Sequence, residues 1–132
     1  YQKLAQESSA ISARFFVIGG FGSMKPSADA ARFAEGEGFP DDYKPEALEL
    51  MGVLDYLSGQ SNQELDWLYV SPAQEFGGFN PGQRTGKYRL GGEVAFFDVD
   101  GKSQLSALDL AIAIMDEAEK PEHHREHISV AY

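Results

Sequence analysis

Three places in this 132-residue chain combine residue types and spacings that can do chemistry. The first is Gly19-Gly-Phe-Gly-Ser23, a hydroxyl behind glycines at the end of an apolar run. Read as the dinucleotide fingerprint G-x-G-x-x-G from Gly20, it keeps Gly22 but has Lys25 in the third glycine position. Pro26 follows closely, and no long helix opens there to set its N-terminus against a pyrophosphate. As a phosphate loop it is rejected. It remains either a ligand-facing strand end or a plain tight turn. The second place is Gly82-Gln-Arg-Thr-Gly-Lys87. A P-loop would need Gly where Pro81 stands and Ser or Thr where Tyr88 stands. Arg84, Lys87 and Arg89 would draw a phosphate or carboxylate, or form a solvated loop beside local acids. The third is His123, His124 and His127. The outer pair has the spacing for a metal on a helix, but Pro121 ends the preceding helical pattern and no H-E-x-x-H motif is present. They read as surface histidines before a strand, with no metal. Asp98, Asp100, Asp116, Glu117 and Glu119 read as turn and helix-surface charges. No nucleophile, base and acid set is legible.

These residues need elements to hold them. Phe15 to Ile18 is a continuous apolar run stopped by glycines, which predicts a strand buried on both faces, as in a parallel sheet. Leu65 to Val70 repeats the plan, with Pro72 as the stop. Ligands of open α/β sheets bind beyond the carboxyl ends of such strands. Residues 1–12 read as the end of a helix with Leu4, Ala5, Ala10 and Ile11 as a weak apolar face. A long polar connection runs from Lys25 to Lys44, with a helical turn at Ala28 to Phe33; such connections are more often functional than idle. Pro45 and Glu46 open a second helix. Ala47, Leu50, Met51, Leu54 and Leu57 form its stripe, and Gly59 caps it. Residues 73–85 are a loop. Tyr88 to Leu90 is a short strand, and Val94 to Val99 another, followed by a turn over Asp98 to Lys102. Ser106 is a helix N-cap with Asp109 in the capping-box position. Leu108, Ala111, Ile112 and Met115 form the apolar stripe of that helix, and His127 to Tyr132 is the last strand. The alternation predicts an α/β protein with a mostly parallel sheet flanked by helices, one domain over 1–132.

Composition narrows the classes. The absence of cysteine excludes disulfides and thiolate metal sites. A net charge of −10 argues against nucleic acid and anionic membranes as partners. No run spans a bilayer and no signal-peptide pattern is present, so a soluble cytoplasmic protein is the expectation. The chain starts at Tyr1, so further residues upstream are expected.

Four segments, in order, resemble one family. Val17-Ile-Gly-Gly-Phe-Gly-Ser-Met24 is similar to the strand end of NAD(P)H-binding proteins of the NADH-flavin reductase type, atypical short-chain dehydrogenases near the NmrA-like group. Phe39 to Ala47, Leu65 to Pro72 and Pro81 to Gly92 match its later segments, the last being the most specific. The resemblance implies a partial Rossmann-like fold, the C-terminal part of an NAD(P)-binding domain whose N-terminal strands lie outside this chain. The resulting open sheet edge implies a homodimer or a missing segment.

By the same resemblance and by position, Gly20, Gly22 and Ser23 line the nicotinamide side, with Ser23 assigned to catalysis. Ser71, Pro72 and Ala73 act from the next strand through backbone groups. Lys44 reaches a ribose or phosphate oxygen. Arg84 and Tyr88 shape a substrate loop. Phe21, Phe76, Phe79 and Tyr88 offer an apolar wall, or serve as ordinary packing. The family's Y-x-x-x-K proton donor is absent: Lys44 directly follows Tyr43, and Ala47 stands where the lysine belongs. That weakens carbonyl reduction. Hydride transfer from NAD(P)H to FMN or FAD fits better, because the cofactors carry that chemistry. The alternative is a non-catalytic, NmrA-like dinucleotide sensor acting through a protein partner.

Overall fold

Phe15–Ile18 (β1) and Trp67–Pro72 (β2) pair in parallel, with Phe15 opposite Trp67 and Ile18 opposite Val70, in a computed structural model that describes residues 1–59 and 64–132. Arg89–Gly91 (β3) and Glu126–Ala131 (β4) complete a four-stranded sheet of order β1-β2-β4-β3. β4 runs parallel to β2, and β3 runs antiparallel to β4. Among the described residues three α-helices flank the sheet: α1 over Gln2–Ala10, α2 over Lys44–Ser58 and α3 over Ala107–Glu119. The fold is therefore α/β with a mostly parallel sheet, as the run of β-formers between helical patterns implies.

β2 is buried at all six positions and separates two cores. On one face Trp67, Tyr69 and Val17 pack against Ala5 of α1 and Leu54 and Leu57 of α2. On the other, Leu68, Val70, Ile128 and Val130 pack against Leu110 and Ala113 of α3. Alternate side chains of one strand feed both layers, because successive residues point to opposite faces.

Several local expectations shift. β2 begins at Trp67 rather than Leu65 and includes Pro72, which stands opposite Val130 at the strand's last position, where a missing N–H is tolerated. Leu65 instead packs in the α1–α2 core. Val94 to Val99 is not a strand. Only Val94 pairs, as an isolated bridge to Lys25, because β3 already occupies the edge of β4. The Asp98 turn does form: Gly101 at φ +73 donates to the Asp98 carbonyl (3.0 Å). Within Ala28 to Phe33 a single turn forms at Ala28–Asp29, where Ala30 N–H donates to Ser27 C=O (3.2 Å), and a separate 3-10 turn follows at Phe33–Glu35. Gly59 ends α2 in right-handed geometry, φ −82, so no left-handed cap is used. On α1 only Ala5 is buried, while Leu4 and Ile11 face solvent.

The largest difference concerns α3. Ser106 caps it, its hydroxyl accepting from Asp109 N–H at 3.1 Å. Asp109 does not close a capping box, however. Its buried carboxylate accepts from Thr85 N–H (3.0 Å), Gly86 N–H (2.8 Å), the Thr85 hydroxyl (2.9 Å) and the Tyr132 hydroxyl. Tyr132 accepts from Ser106 N–H in its place. Burial alone would raise the Asp109 pKa. The hydrogen bonds from Tyr132, Thr85 and Gly86 outweigh it and hold the carboxyl well below its usual range. The helix accordingly buries Asp109 and Glu117 with Leu110 and Ala113, leaving Leu108 and Met115 of the expected stripe in solvent.

Candidate functional site at the strand tips

β1 and β2 are hydrogen-bonded neighbours running the same way, so their carboxyl ends lie side by side. Gly19 N–H donates to Val70 C=O (2.8 Å), extending the pairing past Ile18. The chain then turns through one 3-10 turn, Phe21–Ser23. Gly22 is packed so that an added Cβ would sit 3.0 Å from Ala47 Cβ and 3.1 Å from Phe39 Cζ. Phe21 stacks on Phe33 with ring centroids 4.7 Å apart. Between Phe21, Pro72, Ala73, Phe96 and Ser129 there is a cavity of about 10 Å³, room for one water.

Beneath this turn lie two polar chains. In the first, Ser23 Oγ is 2.8 Å from Tyr69 Oη, which donates to Leu50 C=O at 3.2 Å. Both residues are buried, and burial raises the Tyr69 pKa. In the second, Ser71 Oγ donates to Gly20 C=O (2.9 Å) and lies 2.8 Å from His127 Nε2. His127 Nδ1 is 3.6 Å from Glu93 Oε1. Glu93 is bound by Arg32 (2.7 Å) and faces Lys25 Nζ (3.7 Å), while Arg32 also donates to Ser23 C=O at 2.6 Å. The hydrogen bond from Arg32 keeps Glu93 below its ordinary pKa. Burial, reinforced by the positive charge of Arg32 and opposed by Glu93, lowers His127 to about 4. His127 is thus neutral and buried, not one of a set of surface histidines. His123 and His124 sit elsewhere, paired with Glu117 and Asp66.

Of the residues singled out from sequence, Gly20, Phe21, Gly22, Ser23, Ser71, Pro72 and Ala73 come together at the tips. Lys44 opens α2. Phe76 packs against the α3-side core. Arg84 is exposed on a segment fastened along α3 by Asp109. Tyr88 donates to Asp116 Oδ2 (2.6 Å), and burial together with that carboxylate pushes its pKa up to about 12. Phe79 is three-quarters exposed. The backbone N–H groups of Thr85 and Gly86, the part of the loop most like a phosphate cradle, are spent on Asp109. Arg89 is engaged with Tyr132 C=O (2.6 Å) and lies over the Phe96 ring.

Tyr69, Arg32 and Glu93 are not among the site residues read from the sequence, and His127, read there as a surface histidine, is buried. Tyr69 and Ser71 alternate with Leu68 and Val70, so a polar row on one face of β2 was readable there. Arg32 and Glu93 are 61 residues apart and carry no local signal.

No protein-family model matches the chain. It is 36% identical over 119 residues to the uncharacterized protein YwnB of Bacillus subtilis, covering 89% of this chain and 54% of YwnB. A Burkholderia pseudomallei structure assigned as an exported protein superposes with TM-score 0.86 at 35% identity, over 99% of this chain and 61% of its own. A Streptococcus pneumoniae structure assigned as an NADH-flavin reductase gives 0.82 at 34%, over 97% and 63%. A Bacteroides thetaiotaomicron structure assigned as an epimerase gives 0.79 at 35%, over 90% and 53%. The chain spans about half the length of its curated relative and less than two thirds of each structure. The architecture is partial Rossmann-like α/β. Among the described residues no helix is long and apolar enough to cross a membrane.

Proposed function

We propose that this chain is the C-terminal part of an NAD(P)H-dependent oxidoreductase that passes hydride to a flavin or similar small acceptor. The observation that carries the reading is the pair of parallel tips, Gly19 to Phe21 beside Ser71 to Ala73, at the end of the sheet where Rossmann-like folds take ligands. The name given to the S. pneumoniae relative supports the reaction class. The residues here fit the nicotinamide end of the cofactor, where Gly19, Gly20 and Phe21 are half-buried and an added Cβ at Gly20 meets only Leu50 Cδ1, at 3.9 Å. They do not fit the pyrophosphate, since neither glycine segment opens a helix and the Thr85 and Gly86 N–H groups serve Asp109. That anchor is assigned to the part of the relatives' length that this chain does not match. In this reading Phe21 and Phe76 orient the acceptor, Arg84 and Tyr88 border it, and Lys44 reaches a ribose or phosphate oxygen. The bound cofactor supplies the hydride, and the protein excludes water and fixes the approach.

The second reading, a dinucleotide-binding redox sensor, is favoured by one observation. Ser23, the hydroxyl assigned to catalysis, is buried against Tyr69 and offers no proton to a substrate at the surface. A homodimer across the open edge of β1 is the alternative to a further segment covering that edge, and sedimentation velocity reads it directly. The deciding assay mixes the full-length protein with NADPH and FMN and follows nicotinamide absorbance. Oxidation supports the enzyme, saturable binding without turnover supports the sensor, and neither removes both.

A further inference from the structure

The Ser71 hydroxyl has a single proton, and the carbonyl of Gly20 takes it at 2.9 Å. The 2.8 Å contact from Ser71 Oγ to His127 Nε2 then requires the hydrogen to be on Nε2, with the imidazole donating. Nδ1 is left as a lone pair. It is buried and has no hydrogen-bond partner among the described residues, and the nearest Glu93 oxygen, at 3.6 Å, is an acceptor too far to bond. A donor chain therefore runs from His127 on β4 through Ser71 on β2 to the turn after β1.

We propose that His127 is a positioning residue, which through Ser71 holds the Gly20 carbonyl and so sets the conformation of the turn where the nicotinamide end of the cofactor would rest. The cofactor clause rests on the reading of the preceding section; the positioning does not.

The surroundings make this hold sensitive to protons. The groups facing His127 are Ser71 and Tyr69 from β2, Glu93 from the segment after β3, and Arg32 and Lys25 from the connection after β1. Tyr69 meets the ring edge-on at 5.0 Å. Glu93 is engaged by Arg32, which in turn holds the Ser23 carbonyl. A proton on Nδ1 gives the imidazolium a claim on the Glu93 carboxylate in competition with Arg32. Both holds on the turn then change together: Arg32, which holds the Ser23 carbonyl, is contested at Glu93, and the charged Nε2–H becomes a stronger donor to Ser71, which holds Gly20. A histidine that only fills space against Tyr69 would couple neither carbonyl to pH.

The experiment is amide NMR of the whole chain with pH titration, on wild type, H127Q, H127L and S71A. His127→Gln keeps an N–H donor without a titrating nitrogen, and Ser71→Ala removes the relay while sparing the imidazole. The expected result has three parts. The Gly20 and Ser23 amides, with those of the residues following them, shift together on acidification in wild type. They show no such step in H127Q. Gly20 and Phe21 are displaced at neutral pH in S71A and H127L alike. Unchanged Gly20 and Phe21 resonances in S71A, or an acid step that persists in H127Q, overturns the proposal. Should H127L fail to fold, S71A and H127Q still decide. A parallel NADPH titration of the full-length protein, which also carries the pyrophosphate anchor, separates the two claims, with binding expected to weaken about fivefold in S71A, as for one lost neutral hydrogen bond. No NADPH saturation in any variant, with the resonance changes intact, removes the cofactor reading and leaves the positioning role standing.

Discussion

The parallel strands end in two polar clusters of similar composition and opposite character. At the foot, Arg14 bonds Asp66 (2.9 Å), the Glu117 carbonyl (3.1 Å) and the His123 carbonyl (2.6 Å). Glu117 Oε1 takes the N–H groups of Glu122 (2.9 Å) and His123 (2.8 Å), and its Oε2 lies 3.0 Å from His123 Nδ1. His124 pairs with Asp66. Here each buried charge meets an opposite charge and further hydrogen bonds, and the cluster joins the lead-in residues of three strands to the end of α3. At the tip, Arg32 and Lys25 share the Glu93 carboxylate, and Nδ1 of the neutral, buried His127 is left without a partner among the described residues. The foot is a clamp between secondary-structure elements. The tip ties a connection and a turn, and its polar groups are under-matched. Complete matching of buried polar groups fixes one geometry, and incomplete matching leaves a site that conditions can bias.

This contrast can be broken by removing the foot's central acid. Glu117→Ala should cost about 4 kcal/mol in urea unfolding, because it strips a buried carboxylate from Arg14, His123 and two N–H groups. A loss below about 1 kcal/mol would show the foot to be no clamp. The next effect is acidic and separates the two ends by pH. His127 is lowered from 6.5 to about 4. The unfolded chain therefore binds the proton first, and stability falls as pH drops through that window, by about 3 kcal/mol in all. Glu117 works lower. Burial raises its pKa, but the bonds from His123 and Glu122 hold it below 4.5, so its contribution is lost only as pH falls beneath that value. Urea midpoints from pH 7 to 3 should show the tip weakening before the foot. In H127Q the upper step should vanish while the lower remains; an unchanged upper step would assign it elsewhere. The smallest effect sharpens the tip itself. Ser23→Ala removes one bond to Tyr69, whose hydroxyl keeps Leu50 C=O, and should cost about 1 kcal/mol. A cost near that of Glu117→Ala would mean that the Ser23–Tyr69 contact is a second clamp.

Much of the architecture was legible because β1, α2 and β4 announce themselves locally. Phe15 to Ile18 ends at glycines, Pro45 and Glu46 open α2, and His127 to Val130 alternate polar with apolar residues, although all of them are buried. α3 was found but turned the wrong way. Its period marks Leu108 and Met115 as apolar, yet the buried face belongs to Asp109 and Glu117, whose partners Thr85, Tyr132 and Arg14 are distant in sequence. Val94 to Val99 has strand composition, but whether it pairs depends on β3 having taken the free edge of β4, a tertiary fact. At the site, glycine and serine positions were readable as strand ends. Arg32, Glu93 and the buried state of His127 were not, since a charge cluster drawn from three separated segments leaves no spacing to read.

Gly19 sits directly beneath the Tyr69 phenol, so that an added Cβ would overlap ring carbons and the hydroxyl oxygen. The two positions cannot then drift separately through evolution. Any descendant that acquires a side chain at 19 must first shrink the residue at 69, surrendering the phenolic contacts to Ser23 and Leu50. Comparison of diverged sequences should find glycine at 19 wherever tyrosine stands at 69, and a smaller residue at 69 wherever 19 has changed.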